Sequence, residues 1–239
     1  MFNGRRGEAS LLPIASSSVA TMTQSTHAPM IRFHSLVSFD RSAKSRWLAT
    51  EMGLAFEDRW LDRDSKENES PAFLRLNPMG RVPVAEFGDL SIFESGAIVT
   101  YLADLHPEKN MAPALSSPDR AKYLQWMFFA GCTLDAIQAK IMIIEDIPAG
   151  EYKAEKEAAV VSEYADAMEA IDYALAHGDY LVGNRFSAAD ISVGYHVYFC
   201  NMWPELKVCA DKFPRIGAYM ERLQKMPSAV KAKVFSFEG

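Results

Sequence analysis

The chain has 239 residues, of which 49% are hydrophobic and 23% are charged, and its formal net charge is −6 at pH 7. This composition is typical of a globular protein, and the length allows one large domain or two smaller ones. The acidic balance argues against nucleic-acid binding, which needs a basic face that displaces counterions from phosphates. No continuous apolar run reaches roughly 18 residues, so we expect no integral membrane protein.

The three cysteines, Cys132, Cys200 and Cys209, have no zinc-like spacing, and their odd number favours free thiols in a reducing compartment. The five histidines show no metal-ligand spacing either. We therefore expect a cytoplasmic protein without a metal.

The first 30 residues are rich in Ser, Thr and Ala, and their one apolar segment is interrupted by a proline and serines. We interpret residues 1–30 as a disordered extension, or as sequence upstream of a later start, that carries no chemistry. A weak targeting segment is the alternative, because two arginines precede the apolar segment.

From residue 31 the pattern alternates between strands and helices. "IRFHSLVS" and "AFEDRWLD" have the pattern of strands, "RVPVAEF" and "LSIFE" form a hairpin around Gly-Asp, and helical segments follow each strand or hairpin. Residues 31–106 are thus predicted to have the order β-α-β-α-β-β-α, which is the thioredoxin-like order. After a proline-rich linker, residues 117–235 show helical periodicity only, which predicts an all-α C-terminal domain.

Pro83 lies between Val82 and Val84 in a predicted strand, where its missing N–H would interrupt the ladder. A cis Val82-Pro83 bond at the start of the strand removes this conflict and leaves the N–H and C=O of Val82 for an extended peptide. A trans proline at the strand start is the alternative, and the β-α-β-α order before it favours cis.

Glu94 and Ser95 fall in the first turn of the helix after the hairpin, where free N–H groups and the helix dipole favour an anion. Ser95 would bind a ligand carboxylate there, and Glu94 would bind a ligand ammonium. A plain N-cap is the alternative.

Serines also cluster at the start of the first helix, in "HSLVSFDRSAKS". With Asp40 as the N-cap, Ser42 lies in the first turn of this helix, where its hydroxyl would donate a hydrogen bond to a thiolate. A capping role is again the alternative.

Together these segments resemble the cytosolic glutathione transferases over residues 31–226. "NPMGRVPV" is similar to the segment that carries their cis-proline, and "FESGAIVTYLAD" to their γ-glutamyl-binding segment. "YLVGNRFSAADI" is similar to their second-domain signature, and it has a physical explanation because Ser187 and Asp190 have the spacing of a capping box. The resemblance is to serine-type, bacterial-like members of no assigned class.

The resemblance implies that glutathione binds to the first domain as a co-substrate. The backbone at Val82-Pro83 would pair with its cysteinyl residue, while Glu94 and Ser95 would hold its γ-glutamyl end. Arg81 or Lys44 would pair with its glycyl carboxylate.

The resemblance also implies a serine that stabilises the glutathione thiolate, and this residue is Ser42, with Ser38 as the competitor. Residues 31–51 contain neither Tyr nor Cys, which disfavours the tyrosine-type and cysteine-type branches. Between the domains we expect a hydrophobic co-substrate pocket lined by Trp126, Phe129 and Cys132. Tyr195 and Phe199 are further candidates for this pocket.

The implied function is conjugation of the glutathione thiolate to small hydrophobic electrophiles, as in detoxification, by a cytoplasmic homodimer. The alternatives on the same fold are a glutathione-dependent isomerase, dehalogenase, etherase or peroxidase. A non-catalytic glutathione-transferase-like protein that binds ligands or proteins is the alternative from another class.

Overall fold

The computed structural model describes residues 30–236, so most of the predicted extension over residues 1–30 lies outside the described residues. One four-stranded sheet has the strand order β2-β1-β3-β4. Strand β1 runs parallel to β2 and antiparallel to β3, and β3 pairs with β4 as an antiparallel hairpin. The strands are β1 (Ile31–Ser35), β2 (Phe56–Trp60), β3 (Val84–Phe87) and β4 (Leu90–Phe93).

Three helices accompany the sheet: α1 (Ala43–Glu51), α2 (Pro71–Leu74) and α3 (Ser95–Leu105). The parallel pairing of β1 with β2 requires the crossover through α1, because parallel strands cannot be joined by a tight turn. Gly53, with φ of 67°, lies two residues after α1 in the left-handed conformation that commonly ends a helix. The observed order is β-α-β-α-β-β-α, which confirms the predicted thioredoxin-like domain.

The remaining described residues contain helices and one isolated bridge, from Val182 to Arg185. This confirms the all-α second domain, while its limits at residues 117 and 235 stay predictions. A π-helical segment, Phe129–Leu134, joins the first two of these helices. The helices are α4 (Asp119–Phe128), α5 (Asp135–Glu145), α6 (Glu151–Leu175), α7 (Ala188–Cys200), α8 (Pro204–Ala210), α9 (Pro214–Gln224) and α10 (Pro227–Lys231).

The continuous helix Asp119–Glu145 is long and apolar enough, by length and composition, to cross a membrane. Its Tyr123, Leu134 and Ile137 are buried among neighbouring helices. A helix of a helical bundle can have the same composition, and this helix packs one of its faces against its neighbours.

The two domains share a continuous hydrophobic core. The Trp47 ring on α1 packs on the rings of Phe186 and Phe235, at centroid distances of 5.8 and 5.3 Å, and its Nε1 donates to Ser228 Oγ at 3.0 Å. Helix α7 is buried along almost all of its length. The start of α1 is therefore held against α5 and α7 of the second domain, and the candidate site lies beside this contact.

The predicted capping box at the start of α7 is present. The carboxylate of Asp190 accepts hydrogen bonds from the N–H groups of Ser187 and Leu181, at 2.9 and 3.0 Å, and from the hydroxyl of Tyr219 at 3.2 Å. Burial raises the pKa of Asp190 to about 6 although these donors favour its ionised form. The motif is structural, as its spacing indicates.

Candidate glutathione site

The peptide bond between Val82 and Pro83 is cis, as expected from the sequence. Strand β3 begins at Val84, so Val82 lies just outside the sheet pairing. Among the described residues, neither the N–H nor the C=O of Val82 has a hydrogen-bonding partner. This backbone segment can therefore pair with an extended peptide.

Glu94 has an uncommon backbone conformation for a residue with a side chain, with φ of 71° and ψ of 110°. Such residues cluster at ligand-binding and active sites, where the surrounding structure holds them. The Glu94 side chain is exposed and forms no capping hydrogen bond with α3. Glu94 thus occupies the N-cap position through its backbone alone, and its carboxylate is accessible to a cationic group.

Ser95 is the first residue of α3 and is 7% exposed. Its hydroxyl and N–H lie at the positive end of an eleven-residue helix, which is a favourable place for a carboxylate. Together, Val82, Glu94 and Ser95 supply a backbone edge, an anion and an anion-binding helix end. These are the groups that a peptide with a free amino acid end needs.

Asp40 fixes the loop between β1 and α1, which we call the α1 loop and define as residues 36–42. Its carboxylate accepts hydrogen bonds from the N–H groups of Leu36, Val37 and Ser42, at 2.7, 3.0 and 2.8 Å. Helix α1 begins at Ala43, so Ser42 and not Asp40 is the residue that precedes it. The expectation that Asp40 is the N-cap was therefore wrong by two residues.

Ser42 is completely buried, and its hydroxyl is saturated. It donates to Asp40 Oδ1, and it accepts from the Ser35 hydroxyl and from Arg46 Nη1, each at 2.7 Å. A hydroxyl has one donor and two acceptor positions. In this arrangement Ser42 has no hydrogen left to donate to a thiolate, which argues against the role expected for it.

Ser38, the competing residue, is half-buried. It contributes to a cavity of about 400 Å³ between α1, β2 and residues 231–233 at the end of α10. The guanidinium of Arg46 lies beside it, donates to the Ser38 carbonyl and sits 5.0 Å from the centre of the Trp60 ring. Burial lowers the pKa of Arg46. Ser38 is thus the α1-loop serine with a side chain at an open surface.

The two candidates for the glycyl carboxylate have different environments. Arg81 directly precedes Val82, and its side chain is exposed. Asn77 Nδ2 donates a hydrogen bond to the Arg81 carbonyl at 2.7 Å. Lys44 is only 2% exposed and points to the second domain, where its Nζ lies 3.0 Å from His196 Nε2. Arg81 is therefore better placed for an incoming ligand.

A polar cluster, in which Lys44 and His196 are buried and Arg41 and Asp135 are partly exposed, joins the α1 loop and α1 to α5 and α7. Arg41 Nε donates to both carboxylate oxygens of Asp135, at 2.8 and 3.1 Å, and His196 Nδ1 lies 2.8 Å from Gln138 Oε1. Burial lowers the pKa of Lys44 to about 8 and keeps the pKa of His196 well below its usual value. Lys44 is thus a buried ammonium beside a neutral imidazole.

The sequence analysis missed this cluster, because no local pattern connects its members. Lys44 and His196 are 152 positions apart, and Arg41 and Asp135 are 94 apart. Only the packing of α1 on the second domain brings them together.

The residues predicted for the co-substrate pocket lie on the side of α4 and α5 that faces α6. Trp126 lines one surface cavity there, and Phe129 and Cys132 line another; neither cavity includes a residue of the first domain. Tyr195 and Phe199 do face the first domain, where they contact Phe39. They are the predicted aromatic residues closest to the α1 loop.

Within residues 30–236 no group of three or more His, Cys, Asp or Glu side chains is arranged to hold a metal ion. The cysteines Cys132, Cys200 and Cys209 are all free.

The fold defines a protein with a thioredoxin-like first domain and a helical second domain. The family description "Glutathione S-transferase, N-terminal domain" matches residues 31–104, and "Glutathione S-transferase, C-terminal domain" matches residues 153–222. The chain belongs to the glutathione S-transferase superfamily.

The relatives that the chain resembles include proteins named glutathione S-transferase and proteins named elongation factor 1-gamma. Glutathione S-transferase 1 of Schizosaccharomyces pombe is 28% identical over 201 residues, which cover 75% of this chain and 84% of the relative. Elongation factor 1-gamma of Prunus avium is 32% identical over 164 residues, which cover 69% of this chain and 38% of the relative. The chain thus spans about two-fifths of the length of that elongation factor.

Among solved structures, a glutathione transferase from Burkholderia graminis, with two glutathione molecules bound per subunit, matches with a TM-score of 0.77 and 21% identity. The match covers 90% of this chain and 92% of that one. At this identity the likeness shows the shared fold.

Proposed function

We propose that the protein is a glutathione transferase that joins the glutathione thiolate to small hydrophobic electrophiles. The observation that carries the proposal is the juxtaposition of the unpaired Val82 backbone with Glu94 and Ser95 at the start of α3. Val82 pairs with the cysteinyl backbone, Glu94 with the γ-glutamyl ammonium and Ser95 with its carboxylate. Arg81 pairs with the glycyl carboxylate.

Ser38 donates the hydrogen bond that stabilises the thiolate in this proposal, because the Ser42 hydroxyl is saturated by its neighbours. A free thiol with a pKa of about 8.5 is mostly protonated at neutral pH. Lowering this pKa by about two units requires roughly 2.7 kcal/mol, which a hydroxyl hydrogen bond and a helix N-terminus can supply together. The thiolate attacks an electrophilic carbon and its sulfur forms the new bond. With an aryl halide the halide departs with the displaced electron pair, and with an enal the resulting enolate takes up a proton.

The hydrophobic electrophile lies beside the α1 loop against Phe39, with Tyr195 and Phe199 behind it. The Phe39 and Phe199 rings are stacked with a centroid distance of 6.3 Å, so the surface is apolar and already assembled. Trp126, Phe129 and Cys132 line cavities on the α6 side instead, so they are not assigned to this pocket. The alternative activities, those of an isomerase, dehalogenase, etherase or peroxidase, would depend on the same glutathione thiolate.

We further propose a homodimer in the cytoplasm. Large apolar side chains are exposed on the edge strand β4 and on the outer face of α4 and α5, which favours an interface with a second copy. Light scattering of Phe128→Glu should then give a monomer where the unsubstituted protein gives a dimer. The exposed side chains are Leu90, Phe93, Phe128, Met142 and Ile143.

A non-catalytic role is the second candidate, because relatives named elongation factor 1-gamma share this part of the chain. Calorimetry with glutathione, followed by rate measurements with activated aryl halides and enals, distinguishes the two. Binding and turnover support the transferase, and binding without turnover of any electrophile supports the second candidate. Absence of binding at millimolar glutathione contradicts the proposed site itself.

A further inference from the structure

Three contacts attach the α1 loop and the start of α1 to the second domain. Arg41 forms a two-pronged ion pair with Asp135, and the Lys44 ammonium lies 3.0 Å from His196 Nε2. The Tyr195 hydroxyl donates to the Phe39 carbonyl at 2.9 Å. All three contacts originate from α5 or α7 and reach residues that flank the serines of the loop.

The second-domain side of this contact is pre-organised. Asp135 and Gln138 are three positions apart at the start of α5, so they lie on one face of the helix. His196 lies between them, with Nδ1 at 2.8 Å from Gln138 Oε1 and at 3.8 Å from Asp135 Oδ1. Because Lys44 has only N–H donors, the neutral His196 accepts at Nε2 and donates from Nδ1 to Gln138.

The π-helical segment immediately before Asp135 supports a functional reason for this arrangement. Such segments interrupt regular helices and occur frequently at functional sites. Lysine is almost never fully buried unless it is paired, and here its hydrogen-bonding partner is a neutral ring. A stable core would not need either feature at this position.

We propose that Asp135 and His196 are positioning residues for the glutathione reaction: through Arg41 and Lys44 they fix the α1 loop so that its hydroxyl meets the glutathione thiol. The inference rests on the proposed function. Neither Asp135 nor His196 is among the groups assigned to glutathione, so they act through the loop. Small displacements of a catalytic group reduce rates strongly without loss of binding.

The test compares Asp135→Asn with Asp172→Asn as the matched control. Asp172, like Asp135, pairs with an arginine, but its partner Arg215 belongs to the second domain and lies away from the α1 loop. We expect kcat to fall about tenfold or more in Asp135→Asn, with the KM for glutathione within a factor of two. Asp135→Glu should recover part of the rate, and the pH at which kcat is half-maximal should move upward only in Asp135→Asn. His196→Phe, which keeps a ring of similar size, should repeat the loss.

Amide hydrogen exchange over residues 36–42 provides a readout that does not depend on turnover. Exchange should accelerate in Asp135→Asn and His196→Phe but not in Asp172→Asn. Unchanged exchange, or faster exchange with unchanged kcat, overturns the inference while the transferase proposal stands. An unsubstituted protein that neither binds nor converts glutathione overturns the transferase proposal and this inference together.

Discussion

The Nζ atom of Lys44 lies 3.0 Å from Nε2 of His196, although the two residues are 152 positions apart in the chain. Burial opposes the charged form of this ammonium most strongly. Three charged groups also act on it: Asp135 and Glu94 favour the charged form, and Arg41 opposes it. The result is a lysine with a pKa lowered to about 8.

Replacing Lys44 by Met should stabilise the fold at pH 7. Keeping this buried ammonium charged costs about 3 kcal/mol, and loss of its hydrogen bond to His196 costs about 1 kcal/mol, so the free energy of unfolding should rise by about 2 kcal/mol. Urea denaturation measures this difference. Lys140→Met, which removes an exposed lysine paired with Glu163, should not raise the stability.

The free energy of unfolding of the unsubstituted protein and that of Lys44→Met should depend differently on pH. The unfolded chain keeps Lys44 protonated up to about 10.5, whereas the folded protein releases the proton near pH 8, so the unfolded state binds more protons in this window. The stability that this group contributes therefore rises from pH 8 to pH 10.5, and the advantage of Lys44→Met should shrink over that range. A constant advantage would contradict the lowered pKa.

Ser38→Ala and Ser42→Ala should have separate effects. Ser38→Ala removes the proposed donor to the thiolate and should lower kcat about a hundredfold. Ser42→Ala leaves the buried Ser35 hydroxyl without its acceptor and removes one of the acceptors of Arg46, so it should cost about 1–3 kcal/mol of stability. Steady-state kinetics and urea denaturation of each variant measure the two effects. A Ser42→Ala protein that is as stable as the unsubstituted protein but inactive would return the proposed catalytic role to Ser42.

Glu94→Gln should weaken glutathione binding about tenfold, because a hydrogen bond between two charged groups becomes one between a neutral and a charged group. Its unfolding midpoint should stay unchanged, since the Glu94 side chain makes no capping bond in the folded protein. Calorimetry gives the dissociation constant. Glu221→Gln, which changes an exposed carboxylate paired with Lys225, serves as the control and should bind normally.

Asp190→Ala should destabilise the protein by about 3 kcal/mol, since it removes a helix cap and leaves two buried N–H groups unpaired. These N–H groups belong to Leu181 and Ser187. The free energy of unfolding from urea denaturation measures the effect. Asp211→Ala, which removes an exposed acid paired with Lys207, should change the stability much less; an equal loss in both would contradict the role of the capping box.

The elements of the fold were predictable because each has a local signal. The strand and helix periods of residues 31–106, the turn at Gly88-Asp89 and the capping box at Ser187 depend on residues within a few positions of one another. The cis bond before Pro83 had a weaker signal, because a proline at the start of a strand fits either isomer and the β-α-β-α order before it favoured cis. These features were read from the sequence and are present in the structure.

The proposed thiolate-stabilising serine and the proposed co-substrate pocket were not predictable to the same degree, because they depend on which way a side chain points. Ser42 and Ser38 are equivalent in the sequence, and only the partners Ser35 and Arg46 show that the first is enclosed. Trp126 has helical spacing suited to either face of α4, and its packing places it on the α6 side. The Lys44 and His196 contact has no sequence signal at all.

The most direct test of the account is the ionisation of the glutathione thiol bound to the protein, followed by the ultraviolet absorbance of its thiolate as the pH is changed. We predict a thiol pKa about two units below the value of about 8.5 for a free thiol, and a return toward that value in Ser38→Ala. A bound thiol that titrates as it does in free solution would contradict thiolate stabilisation at this site.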